Sequence, residues 1–325
     1  MTEQKKLREL ANNIKIVGTL KEVNLEIKPN KNDPKVKQIM GNIVVIVEEK
    51  SKNRIHEHTI NLFAKDSSKL YKGYVTIKDQ FKSIDEVGKE NADRISISGS
   101  IDENIYMGQD SKLKEFNRNR GLFINRVDET ALTKDPSLTN DSAVAQIEIV
   151  VTNIRPLTDK EGIETGEYGI SAFTVGYNNG VTQLRDIVVG TDLADVITEN
   201  YEINSTGKLT FAINNYAELK KVEIDPAIES QGGFGVTTDI GNELTKYVRE
   251  LRVIGGFPPY LDDRALQEED IKFARQIREL KVQEVKNSVP STPPAKTTAG
   301  GFGTNADPFA STVGTIEISE DDLPF

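Results

Sequence analysis

The chain of 325 residues contains no cysteine. That absence excludes disulfides, thiolate catalysis and Cys-ligated zinc together. Histidine is nearly missing as well, with only His56 and His58. Spaced two apart on an alternating strand, they share one face. With no Cys and no further His to complete a metal shell, they read as surface or groove residues rather than ligands. No apolar run approaches the roughly 20 residues of a membrane-spanning helix, and Met1-Thr-Glu-Gln-Lys-Lys-Leu-Arg8 lacks the apolar centre of a signal peptide. There is no phosphate-cradling P-loop, nucleophile elbow or paired catalytic signature. Asp262-Asp263 and Glu268-Glu-Asp270 lack a spaced partner and read as helix-start and solvated charges. Gly232-Gly-Phe-Gly235 reads as a loop. These absences point to a soluble cytoplasmic protein that is not an enzyme and uses neither a cofactor nor a metal.

The formal net charge is −10, but it is unevenly spread. Residues 1–130 carry 24 Lys and Arg against 20 Asp and Glu, a net of +4. Residues 131–289 carry 16 against 26, a net of −10, and residues 290–325 carry 1 against 5, a net of −4. A surface for phosphates therefore belongs in the first half.

The first half is written in short, alternating, β-branched runs. Ile14 to Ile27 reads as one long strand with Gly18 at a bulge or bend. Pro29 to Pro34 is a loop. Gly41–Val47 and Arg54–Phe63 form a hairpin that turns across Glu48–Asn53, a less regular stretch follows, and Arg94–Ile101 and Gly121–Val127 close the set. The second half repeats the plan: Ala145–Ile154, a hairpin of Tyr168–Tyr177 and Val181–Val189 across Asn178-Asn-Gly180, a short helix capped by Thr191, then Gly207–Ile213 and Tyr247–Ile254. Long strand, hairpin, insert and two further strands is the order of an OB-fold. The expected fold is mainly β with a C-terminal helix: two OB-like five-stranded barrels, a net basic one over 1–130 and an acidic one over 131–260. One larger antiparallel sandwich is the rival architecture. A helix is expected over 261–287, with Leu266, Phe273, Ile277 and Leu280 on one face that packs across a barrel.

From 288 the composition turns to Pro, Ser, Thr, Gly and Ala, including Pro293-Pro294 and Gly300-Gly-Phe-Gly303. Such a segment buries too little to fold and reads as a disordered linker. It leads to Ile318-Ser-Glu-Asp-Asp-Leu-Pro-Phe325. Here Glu320, Asp321, Asp322 and the terminal carboxylate surround Leu323, Pro324 and the Phe325 ring. A peptide of this kind fits an apolar pocket with a basic rim.

This ending resembles the acidic tip of bacterial and phage single-stranded DNA-binding proteins. The resemblance implies a protein that coats single-stranded DNA during replication, recombination or repair, and recruits partner enzymes through Glu320–Phe325. Self-association into a homo-oligomer is a further expectation. The alternative is a β-rich virion or assembly protein with an acidic interaction tail.

Single strands require cations along the backbone and aromatic faces for unstacked bases. The best segment is Lys112 to Arg126, with Lys112, Lys114, Arg118, Arg120 and Arg126 around Phe116 and Phe123. Lys28, Lys31, Lys35 and Lys37 after the first strand, with Lys52 and Arg54 at the hairpin turn, would form the other wall of a groove. Tyr71, Tyr74 and Tyr106 are further stacking candidates.

Overall fold

The computed structural model describes residues 5–30, 33–108, 110–221 and 243–287. The chain divides into two units, Met1–Ser288 and Val289–Phe325. The second lies outside the described residues, and with it the linker and the tip Glu320–Phe325.

Five strands open the first unit: β1 (Asn12–Pro29), β2 (Lys37–Glu49), β3 (Arg54–Lys65), β4 (Arg94–Met107) and β5 (Leu113–Arg126). β1 pairs antiparallel with β2, β2 with β3, β4 with β5 and β4 with β1, while β3 meets β5 in parallel at Ile60↔Asn119 and Asn61↔Arg120. The circuit β1-β2-β3-β5-β4-β1 is closed, as in an OB barrel. The less regular stretch between β3 and β4 is helix α1 (Lys69–Gln80), capped by the Ser68 side chain, followed by the short α2 (Ile84–Val87).

Five more strands repeat the circuit after α3 (Glu129–Lys134): β6 (Ser142–Thr158), β7 (Glu164–Val175), β8 (Val181–Val189), β9 (Thr206–Lys221) and β10 (Glu243–Gly256). Again four contacts are antiparallel and one, β8 with β10, is parallel. The insert between β8 and β9 is α4 (Ala194–Asn200). Its N-cap is Leu193 rather than Thr191, and no side chain caps it.

The core follows the strand alternation. On β2, Ile39, Ile43, Val45 and Val47 turn inward, and on β3 Ile60, Leu62 and Ala64 join them. Gly18 is required by close approach: a Cβ there would meet the Ile46 carbonyl oxygen at 2.2 Å. The β1–β2 bulge itself falls later, between Leu20 and Glu22. The barrels share more than a linker. β1 also pairs with β6 from Asn12↔Ile147 to Val17↔Ser142, and one hydrophobic cluster runs through both.

The last helix, α5, spans Glu268–Asn287. With Leu266 before it, Ile271 and Ala274 are buried against Val150, Phe173, Val175 and Val181, alongside Leu7 and Leu10 from the N-terminal segment. Phe273 and Ile277 are partly buried there, but Leu280 is exposed. The face is therefore shorter than the sequence spacing implies, because the helix runs past the strand layer.

Candidate nucleic-acid interface

The two barrels share a strand order but not an open surface. In an OB barrel the outer face of the second and third strands takes oligonucleotides. The same face of the second barrel, across β6, β7 and β8, is the one covered by α5 and by Leu7 and Leu10. Farther along β8 the β4–β5 hairpin closes over it. The Asn117 side chain donates to the Gln183 carbonyl at 2.7 Å and accepts from the Arg185 amide at 2.7 Å. Glu103, whose side chain is fully buried, accepts from the Gln183 amide and from Arg278 of α5 at 3.0 Å, while Arg185 and Arg278 both pair with Glu115. A buried carboxylate needs such compensation.

On the first barrel the outer face stays open among the described residues. The register places Asn24, Asn42 and Asn61 in one row across β1, β2 and β3, and Arg120 on β5 continues it. The next row holds Glu26, Met40 and Phe63, and beyond it Lys28, Gln38 and Lys65. Met40 and Phe63 are 39% and 45% exposed. Along β5 the outward positions alternate as Lys114, Phe116, Arg118 and Arg120, opposite Tyr106, Asn104, Asp102 and Ser100 of β4.

Within this stripe the Tyr106 and Phe116 rings meet edge to face, 6.1 Å apart. Lys114 is held by Asp110 at 2.9 Å and Arg118 by Asp102 at 2.9 Å. Arg120 is exposed and has no carboxylate partner among the described residues, which leaves it available to a phosphate. The Asp110 pairing, reinforced by the Lys112 amide, holds that carboxyl below its usual range and raises the Lys114 ammonium.

The remaining candidates separate. Lys28 pairs with Glu26, Lys35 and Lys37 are exposed beside it, and Lys31 lies outside the described residues. Lys52, paired with Glu49, and Arg54, paired with Glu218 and stacked 4.4 Å from the Tyr216 ring, sit at the other end of β3. The 12 residues of β3 span roughly 40 Å. These two groups therefore bound the face at opposite ends and do not wall one groove.

Lys112 is exposed at the hairpin tip. Phe123 is 61% exposed but faces outward beside Ser98, where it borders a shallow groove with Asn13 and Lys15. Arg126 stacks 4.4 Å from the Phe81 ring and bonds Asp93 at 2.8 Å, so it is spent on the fold.

Tyr74 is not a stacking residue. It is 2% exposed, and its hydroxyl donates to the Gly121 carbonyl at 2.9 Å, closing the base of the barrel. Burial pushes the Tyr74 hydroxyl pKa up. Tyr71 is half-buried on the same helix and packs against the core. Both face the barrel because α1 is amphipathic, a period that the sequence reading left unassigned. His56 and His58 are buried too, at 5% and 1% exposure, since β3 turns them to the same side as Ile60 and Leu62. Phe63, Met40, Asn42 and Asn61 were missed by sequence reasoning. The available signal was the phase of β3, in which the residues between the inward ones must face out.

Comparison with known proteins places the sequence. The YorF family model matches residues 11–288, most of the chain. The chain belongs to the YorF family. No curated protein matches it. Among solved structures, the wild-type single-stranded DNA-binding protein from Thermus aquaticus is similar with a TM-score of 0.47 and 10% identity, over 81% of this chain and 99% of that one. Its deletion mutant gives 0.43 and 11%, over 80% and 98%. A small single-stranded DNA-binding protein from Streptomyces coelicolor gives 0.26 and 12%, over 38% and 98%.

Proposed function

We propose that the protein binds single-stranded DNA along the open face of its first barrel, with little sequence specificity. One observation carries this reading. Of two barrels with the same strand order, only the first leaves the face of its second and third strands uncovered among the described residues, and there Lys114, Arg118, Arg120 and the Phe116 ring line β5 on the face that also carries Phe63 and Met40. Cations neutralise phosphates and rings stack on any base, so the combination suits an unpaired strand. The amides of Asn24, Asn42 and Asn61 add hydrogen bonds without fixing a sequence. The charge distribution agrees, with the net positive charge confined to residues 1–130. The acidic tip Glu320–Phe325 would then recruit replication, recombination or repair proteins, and the second barrel would support the first.

Fluorescence anisotropy tests the reading with labelled oligothymidylate and a duplex of equal length, each at two salt concentrations. The expected result is preference for the single strand and an affinity that falls steeply with salt. Equal affinity for both, or an affinity indifferent to salt, would overturn it.

A further inference from the structure

Where β3 and β5 diverge beyond their two parallel contacts, they leave a cavity of about 380 Å³ against β8, β9 and β10 of the second barrel. Its size lies within the range of small-molecule sites. Exposed Thr59, Asp186 and Arg249 stand on its lining, so it opens to solvent, and Asn61 connects it to the open face described above.

The lining carries unmet polar demand. His58 is 1% exposed, and neither of its ring nitrogens has a hydrogen-bond partner among the described residues. Among the described residues the buried Nε atoms of Arg118 and Arg185 are unpartnered as well. Buried polar groups in folded proteins are normally satisfied, so three in one cavity call for an occupant.

The chemistry of that occupant follows from the charges. Arg118 is paired with Asp102 and Arg185 with Glu115, while Glu115, Asp186 and Glu250 bring carboxylates to the lining. A phosphate would meet those carboxylates with few free cations. Burial drives the His58 pKa down to about 3, so the ring is neutral and offers one donor and one acceptor. Asn61, Asn119 and Asn214 stand on the same lining, the Asn214 amide donating to Glu250 at 2.9 Å, and the Phe116 ring supplies an aromatic face with Arg249 at 5.9 Å from its centroid. Mixed donors and acceptors beside a ring complement the edge and face of a neutral heterocycle.

We propose that this cavity between the barrels takes one unstacked nucleobase of the bound strand, with His58 and the asparagine amides on its edge and Phe116 on its face. The inference rests on the reading of the protein as a single-strand binder and adds a specific seat for one base. A strand crossing the open face past Asn61 would turn one nucleotide inward here, which gives a base preference at one position of an otherwise tolerant site.

The test uses the full chain labelled with ¹⁵N at histidine, following the two imidazoles by NMR. Adenosine, thymidine and inorganic phosphate are titrated separately. The expected result is that at least one nucleoside moves the His58 ring nitrogens and phosphate does not. Phosphate moving them while nucleosides do not would make this an anion site and overturn the proposal. If neither moves them while oligothymidylate still binds by anisotropy, the cavity holds only water, and the proposal falls with the binding function intact. A second measurement uses Phe116→Ala with an oligonucleotide carrying a single 2-aminopurine. The base should lose its protein-induced fluorescence change and the affinity should drop about tenfold. An unchanged signal and affinity would count against the base seat.

Discussion

At the scale of single residues, Arg120 and Phe63 separate the two physical contributions to the proposed strand binding. Arg120 is an exposed cation without a carboxylate partner among the described residues, so Arg120→Ala should weaken binding and shrink the slope of log affinity against log salt by about 0.7. Phe63 offers an uncharged ring, so Phe63→Ala should cost about 1–3 kcal/mol of affinity and leave the slope unchanged. Anisotropy titrations over a salt series read both numbers.

His58 yields a prediction about stability. Its folded pKa lies near 3, below the ordinary 6.5, because burial penalises the charged ring and His56 adds to the effect. The unfolded chain therefore binds the proton more readily. The contribution of neutral His58 is fully present above about pH 6.5 and is lost as pH falls toward 3, at up to about 1.4 kcal/mol per pH unit. Urea midpoints measured from pH 7 to pH 4 should fall less steeply in His58→Gln than in the parent.

At the scale of elements, α5 decides which barrel is available. Its Ile271 is 2% exposed in the cluster with Phe173, Val175 and Leu10. Ile271→Ala should destabilise the protein by about 2–5 kcal/mol, through lost burial and the cavity left behind. Because the open face of the first barrel does not touch this cluster, affinity for single strands should hold at concentrations of denaturant where the variant stays folded. Chemical denaturation and anisotropy on the same variant check both halves. The β4–β5 hairpin plays two parts as an element. Its outward positions carry Lys114, Phe116, Arg118 and Arg120, while Glu103, Glu115 and Asn117 on its other side fasten it to β8 and α5. The alternation of one strand pair thus builds a candidate binding stripe on one side and a buried polar joint on the other.

For the whole molecule, the uneven charge sets the expectation for the tail. Residues 290–325 carry a net of −4 and the first half a net of +4, so under the proposed function the tail would compete with phosphates for the first barrel. Removing Glu320–Phe325 should leave oligonucleotide affinity unchanged or raise it, and should abolish capture of proteins that read the tip. Weaker oligonucleotide binding after this truncation would contradict that arrangement. Photochemical cross-linking to a substituted oligonucleotide gives a second whole-chain check. Cross-linked peptides should come from residues 38–65 and 100–120, with the α5-covered strands β7 and β8 giving few.

Much of the architecture was readable from residue order, because burial imposes a period. The alternation in Gly41–Val47 and Arg54–Phe63 announced a hairpin, and the repeat of strand, hairpin, insert and two strands announced the second barrel. The chemistry of the Lys112–Arg126 segment was also visible in composition alone. What composition leaves open is direction. Tyr74 and Phe63 are both aromatic and both near cations in sequence, yet one closes the barrel base and the other faces solvent. That choice depends on the phase of each element against its partner, which only the register fixes. The separation of Lys28 and Lys37 from Lys52 and Arg54 is a matter of strand length and direction. Above all, residue order points the charge to the first barrel but does not say which barrel keeps its strand face uncovered. Only the tertiary structure lays α5, Leu7 and Leu10 over the second, because burying their apolar side chains on Phe173, Val175 and Val181 removes that surface from water.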